Sequence, residues 1–194
     1  MHDPEILLAM PGRLDWEKLF GRRAPVELEL GFGRARFLIE SARAHPERDF
    51  LGVERSRKWY REGLERIRQA APGNLRVCHA EALDFLTRRV PDGSLEALHV
   101  YHPDPWPKKR HHKRRLISAG FLDQAARVLA PGGHLRITTD HEAYRAAIAR
   151  LLAEQSALAG REWDGEDPDT HFAAKYRAAG RAIHRFCAQR RAEP

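Results

Sequence analysis

From residue 25 onward the chain repeats one pattern, a short apolar strand followed by an amphipathic helix, and this repetition restricts the fold more than any other feature. Val26 to Leu30 alternates with period two and stops at Gly31, as a strand entering a loop does. Ala35, Leu38, Ile39 and Ala42 then fall on one face of a helix. Asp49 to Val53 reads as a second strand, and Tyr60, Leu64 and Ile67 mark a second helix. Strands are expected over 75–77 and 95–100, with a helix from about Ala82 to Arg88 between them. Beyond a long polar loop, Leu122, Ala125, Ala126 and Leu129 define another helix. Pro131, Gly132 and Gly133 read as the turn into a fifth strand at 135–139, after which Tyr144, Ala147, Ile148 and Leu151 return to helical spacing. The last forty or so residues are less regular, with a helix expected near 170–179 and a short strand near 183–188. Successive β-α units with right-handed crossovers give an α/β fold. Its form is a Rossmann-like, doubly wound, mostly parallel sheet with helices on both faces and ligands at the carboxyl ends of the strands.

Length and apolar content suit one domain: 194 residues, 42% hydrophobic. The expected division is an amino-terminal arm over 1–24, the Rossmann-like core over 25–156 and a carboxy-terminal segment over 157–194. No run approaches the eighteen or so apolar residues of a membrane span, and the first residues lack the basic and apolar regions of a signal peptide. Cys78 and Cys187 are too few for a disulfide framework or a zinc cluster. The expectation is a cytoplasmic protein without metal or membrane attachment, as monomer or homodimer. A net charge of +7 points to a polyanionic partner, although 28 of the 34 basic residues are arginine, which a GC-rich genome would also produce.

The first strand–helix junction, Glu29 to Gly33, carries glycines at 31 and 33. They let backbone approach a ligand, but Arg36 occupies the third glycine position of the dinucleotide fingerprint, which disfavours a pyrophosphate. A carboxylate at Glu29 suits a ligand with a cationic amino group, such as the methionine part of S-adenosylmethionine. Glu54 ends the second strand, where it can accept both ribose hydroxyls, and Glu81 follows the third strand within approach of an adenine amino group. Each has a plainer explanation: Glu29 as an outward strand residue, Glu54 as the start of a helix. Three acidic residues at three successive strand ends favour a nucleoside-binding rim.

The fourth strand runs into the chain's densest chemistry, Tyr101 to Arg115. Six of the eight residues from Lys108 to Arg115 are lysine or arginine and the other two are His111 and His112. Such a run repels itself and needs an external anion if it is ordered. Pro103 and Pro105 flank Asp104 and Pro107 follows Trp106, so the loop is pre-ordered; Trp106 offers a face for stacking a base. A merely solvated basic face fits less well, because the run sits at the carboxyl end of a central strand. The histidines lack partners at metal-ligand spacing.

Residues 103–116 resemble the signature of the tRNA (guanine-N7)-methyltransferase family, and the resemblance extends to residues 29–33, 52–54, 121–122, 129–133, 138–140 and 170–180. It spans about Asp15 to Phe186. It implies a class I S-adenosylmethionine-dependent methyltransferase fold acting on N7 of a variable-loop guanine in tRNA. It also implies that Glu29, Gly31, Gly33, Glu54, Glu81 and Asp104 bind cofactor, with Asp104 at the methyl-transfer site. Lys108, Asp140, Thr170 and position 173 would hold the guanine, and Trp106, Lys109, Arg110, Lys113, Arg114 and Arg115 the tRNA. Two positions depart from the family pattern: His102 stands where it has Phe, and Ala173 where it has Glu. Asp140 has a second expected role, as N-cap of the helix beginning near Glu142. Two rival readings are a methyltransferase of exocyclic amino groups and a non-catalytic RNA-binding protein on a methyltransferase scaffold.

Overall fold

The computed structural model describes residues 4–5, 12–163, 170, 173, 176 and 178–192. Seven strands form one sheet: β1 (Val26–Leu30), β2 (Asp49–Glu54), β3 (Leu75–His79), β4 (Leu95–Tyr101), β5 (Leu129–Thr139), β6 (Leu158–Arg161) and β7 (His184–Arg190). Their order is β3-β2-β1-β4-β5-β7-β6. The first five run parallel, and β7 pairs antiparallel with both β5 and β6.

Helices cover both faces, as the apolar spacing requires. On one side α2 (Arg36–Ala44) and α3 (Arg57–Ala70) bury Leu38, Ala42, Leu64 and Ile67 against Phe50, Leu75 and Val77. On the other, α4 (Ala82–Arg89), α5 (Ala119–Val128) and α6 (Glu142–Glu154) bury Phe85, Phe121, Leu122 and Ile148 against Leu28, Leu51, Leu98 and Ile137. Helix starts follow capping chemistry. Ser56 Oγ accepts from the Trp59 amide at 3.4 Å, Glu81 Oε2 from Asp84 at 2.8 Å and Ser118 Oγ from Phe121 at 3.2 Å.

The amino-terminal arm is fastened to this frame. A short helix, α1 (Trp16–Phe20), packs Trp16 and Phe20 on the core, and Glu5 bridges to Val77 beside β3. The Tyr60 hydroxyl donates to Glu5 at 2.9 Å.

Two expectations change. Residues 131–133 are not a turn, because β5 begins at Leu129 and runs through them. Leu129 pairs with Leu95, and the register then shifts so that Ala97 faces His134. Gly132 takes φ +82°, and a Cβ on Gly133 would lie 2.9 Å from the Leu95 carbonyl oxygen, so the glycines make a bulge inside the ladder. The short strand β6 was not expected at all. Of the helix expected near 170–179, Ala173, Tyr176 and Ala178 are helical; 171–172, 174–175 and 177 lie outside the described residues.

The sheet order reverses between β1 and β4, since the connection after β1 leads to β2 on one side and β4 lies on the other. This is the switch point where ligands of such sheets bind.

Candidate functional site

A cavity of about 930 Å³ opens at that switch point. Its size is at the upper end for small-molecule sites, which leaves room for a nucleoside and a second ring beside it. A narrow cleft of about 20 Å³ adjoins it, shares Gly31, Gly33, Trp59 and Tyr101, and adds Glu29 and Thr170.

Glu29 is buried at 3% exposure, and its Oε2 has no hydrogen-bond partner among the described residues. Burial, and then the charge of Glu54, raises its carboxyl to about 8. A carboxyl group in that state fits a site completed by a cationic ligand. Glu54, 8% exposed, is held from both sides: Oε2 accepts from the Gly33 amide at 3.1 Å and Oε1 from Ser56 at 2.7 Å. Each oxygen keeps a second lone pair for a ligand. Gly31 and Gly33 take φ +81° and +54°, and α3 presses on their loop so closely that a Cβ on Gly63 would stand 2.7 Å from the Gly33 carbonyl oxygen. Glu81 also lines the cavity, exposed, with one carboxylate oxygen used as the α4 cap.

Beneath Tyr101 lies a buried polar line absent from the sequence reading. His99, 1% exposed, contacts Glu27 Oε2 through Nε2 at 2.8 Å and the Tyr101 hydroxyl through Nδ1 at 2.7 Å. Arg48 donates to the other oxygen of Glu27. With Glu27 ionised, His99 donates to it from Nε2. Phe37 packs against both rings, 4.9 Å from each centroid. The line fixes the orientation of a ring that walls both cavities. Its partners are up to 72 residues apart, and no local pattern reveals them.

Asp104 is exposed and lines the large cavity. The residues bracketing its Pro-Asp-Pro turn, His102 and Trp106, take φ +50° and +41°, a conformation non-glycine residues hold only when their surroundings impose it. Trp106 also lines the cavity, with the Arg114 guanidinium 4.9 Å from its ring centroid. The basic run is ordered as a 3₁₀ helix, Lys109–Arg114. Arg115 is anchored by donating to the Pro105 carbonyl at 2.8 Å and by stacking over Tyr144 at 4.7 Å. Lys113, Arg114 and Arg115 line the cavity; Lys108, Lys109 and Arg110 are exposed and do not.

Asp140 is not the cap of α6. His141 holds that position, its Nδ1 accepting from the Tyr144 amide at 3.3 Å. Asp140 instead lines the cavity, paired with Arg181 at 2.6 Å. His102, whose side chain is 2% exposed, sits 3.9 Å from the Asp140 carboxylate and edge-on to Tyr176 at 5.2 Å. It is used as a buried ring in the place of the family's phenylalanine. Thr170 Oγ1 accepts from the Ala173 amide at 2.9 Å, and Ala173 is buried, so no carboxylate reaches the site from there.

Among the described residues no helix is long and apolar enough to cross a membrane, and no group of three or more His, Cys, Asp or Glu is gathered for a metal.

Residues 23–186 match the methyltransferase family described as "Putative methyltransferase". The tRNA (guanine-N(7)-)-methyltransferase of Alkalilimnicola ehrlichii is 39% identical over 93% of this chain and 79% of its own. That of Nitrosococcus oceani is 38% identical over 89% and 74%, and that of Halorhodospira halophila 47% identical over 69% and 58%. Among solved structures, the 16S rRNA methyltransferase KamB superposes with a TM-score of 0.66 at 16% identity, covering 91% of this chain and 93% of its own, a likeness of fold. The chain is a member of the tRNA (guanine-N(7)-)-methyltransferase family, built on the Rossmann-like fold of S-adenosylmethionine-dependent methyltransferases.

Proposed function

We propose that this protein transfers the methyl group of S-adenosylmethionine to N7 of a variable-loop guanine in tRNA. The observation that carries the reading is the arrangement around one cavity and the cleft that adjoins it: in the cleft a buried Glu29 whose Oε2 has no partner among the described residues, and on the cavity Glu54 beside a glycine loop and Asp104 between two strained residues, next to a cationic, tryptophan-bearing wall. The residues fit the cofactor. Glu29 would receive its ammonium group, Glu54 the ribose hydroxyls and Glu81 the adenine edge. When bound, S-adenosylmethionine supplies a methyl group activated by a cationic sulfur.

Guanine N7 carries an in-plane lone pair and no proton, so the protein need not supply a general base. Its task is to place N7 in line with the methyl carbon and to stabilise positive charge as it develops on the purine. Asp104 serves both purposes. Asp140 accepts from the N1–H and N2–H₂ edge that adenine does not offer, after exchanging its contact with Arg181 for the base. Trp106 and the basic run hold the surrounding RNA, and Lys108 and Thr170 contribute on the substrate side.

The test is incubation with cofactor and an unmodified tRNA transcript, followed by nucleoside mass spectrometry against retention standards. Formation of 7-methylguanosine is expected, and Asp104→Asn should cut turnover strongly while leaving cofactor affinity intact. A methyl group on an exocyclic nitrogen would move the protein to another reaction class. Binding of cofactor and tRNA without product would make it a binding module, with Ala173 as the missing carboxylate.

A further inference from the structure

The large cavity has a second aromatic and cationic wall, opposite the one that follows β4. Trp59, at the start of α3, lines the cavity as Trp106 does, and like Trp106 it is covered by cations: Arg34 lies 5.4 Å and Lys58 5.1 Å from its ring. The two tryptophans stand on opposite sides of the β1–β4 switch point, because Arg34 and Trp59 follow β1 and β2 whereas Trp106 follows β4.

The cations around Trp59 are costly where they are. Arg55, Arg57, Lys58 and Arg61 are all exposed, and none pairs with a carboxylate among the described residues. Arg57 and Arg61 are four residues apart and Lys58 three from Arg61, so they share one stripe, a spacing at which like charges destabilise a helix. The first turn of α3 contains no acidic residue, and cations there also oppose the helix dipole. Glu62 and Glu65 stand one turn further on, but Glu62 pairs with Arg34 and Glu65 accepts from Gln69, so among the described residues no carboxylate contact neutralises this charge. A polyanion laid across the cavity mouth would.

We propose that the amino-terminal face of α3, with Arg55, Arg57, Lys58 and Arg61 around Trp59, is a second RNA-binding bank. It grips the phosphate backbone on one side of the target nucleotide while the 108–115 run grips the other. The inference rests on the tRNA reading above and adds a geometric requirement to it. A base drawn into the cavity must leave its stack, and holding the flanking backbone on both sides keeps it extruded. A single bank would hold one flank and leave the other mobile.

The test compares tRNA affinity across a salt series for the wild type, Arg57→Ala/Lys58→Ala/Arg61→Ala and a control that removes three exposed cations elsewhere, Lys18→Ala/Arg88→Ala/Arg150→Ala. Neither triple variant touches a residue assigned to the cofactor, so calorimetric titration with S-adenosylmethionine verifies that each is folded and competent. Each lost phosphate contact should flatten the log–log salt slope by roughly 0.7–0.9. The α3 variant should therefore lose about 2–3 units of slope and the control less than one. An unchanged slope in the α3 variant, or an equal loss in the control, overturns the bank while leaving the tRNA reading intact. Salt-insensitive or absent tRNA binding by the wild type overturns both.

Discussion

Glu29→Gln separates a carboxylate built for a cation from one that serves the fold. In the ligand-free protein the Glu29 carboxyl is raised from 4.5 to about 8, first by burial and then by Glu54. Across that window the native state keeps a proton that the unfolded chain has released, so stability falls as pH rises. A rise of that size corresponds to on the order of 5 kcal/mol, fully expressed above pH 8 and absent below about pH 4.5. Glutamine matches the shape of the protonated acid and does not titrate. The variant should equal the wild type in urea stability near the lower limit and exceed it increasingly toward alkaline pH. Saturating S-adenosylmethionine should shrink the difference, because its ammonium group compensates the ionised wild-type carboxylate, and the variant should bind that cofactor more weakly. A stability difference that does not change with pH would refute the burial argument. A pH-dependent difference that the cofactor leaves untouched would refute the role assigned to Glu29.

Glu27 gives the opposite sign. Burial opposes ionisation, yet hydrogen bonds and charge from His99 and then Arg48 outweigh it and bring the carboxyl down to about 2. Its contribution, about 3 kcal/mol, is present above pH 4.5 and lost as pH falls toward 2, so Glu27→Gln should lower stability at neutral pH and flatten the acid limb of a pH–urea series. Identical acid limbs in the two proteins would rule this out. Gly63→Ala places a methyl group 2.7 Å from the Gly33 carbonyl oxygen. The overpacking should cost about 1–3 kcal/mol and shift the glycine loop, which calorimetry should register as weaker cofactor binding; unchanged affinity would show that α3 yields instead.

Much of this architecture is legible in the sequence because parallel strands and their covering helices are patterned locally. The core helices marked by apolar spacing formed there, except that Leu129, expected on the face of α5, instead opens β5, and β7 lies close to the strand expected near 183–188. Alternation was a weaker guide to burial. All five residues of β1 are buried, Glu27 and Glu29 included, because both faces of the sheet are covered. One glutamate is satisfied by residues from two other segments and the other faces the ligand end, which a strand pattern cannot distinguish. The strand β6, Leu-Ala-Gly-Arg, has no β-branched or aromatic residue and exists through pairing with β7. Trp59 escaped notice for a related reason: at helical spacing it resembles any half-buried α3 residue until the cavity is seen beside it. Asp140 was ambiguous between cap and ligand until His141 was found in the capping position.

The placement of β7 between β5 and β6 has a consequence for how the chain is made. It is the last of the seven strands to leave a ribosome, yet it occupies an interior position, and among the described residues β6 pairs with no other strand. During synthesis β5 therefore presents an open edge, with Leu135 and Ile137 in strand conformation, until residues 184–190 arrive to close it. An unpaired edge of that kind is a template for association between nascent chains. A ribosome pausing before residues 184–190 emerge would hold the protein with that edge open, five strands assembled and the sixth waiting for its neighbour.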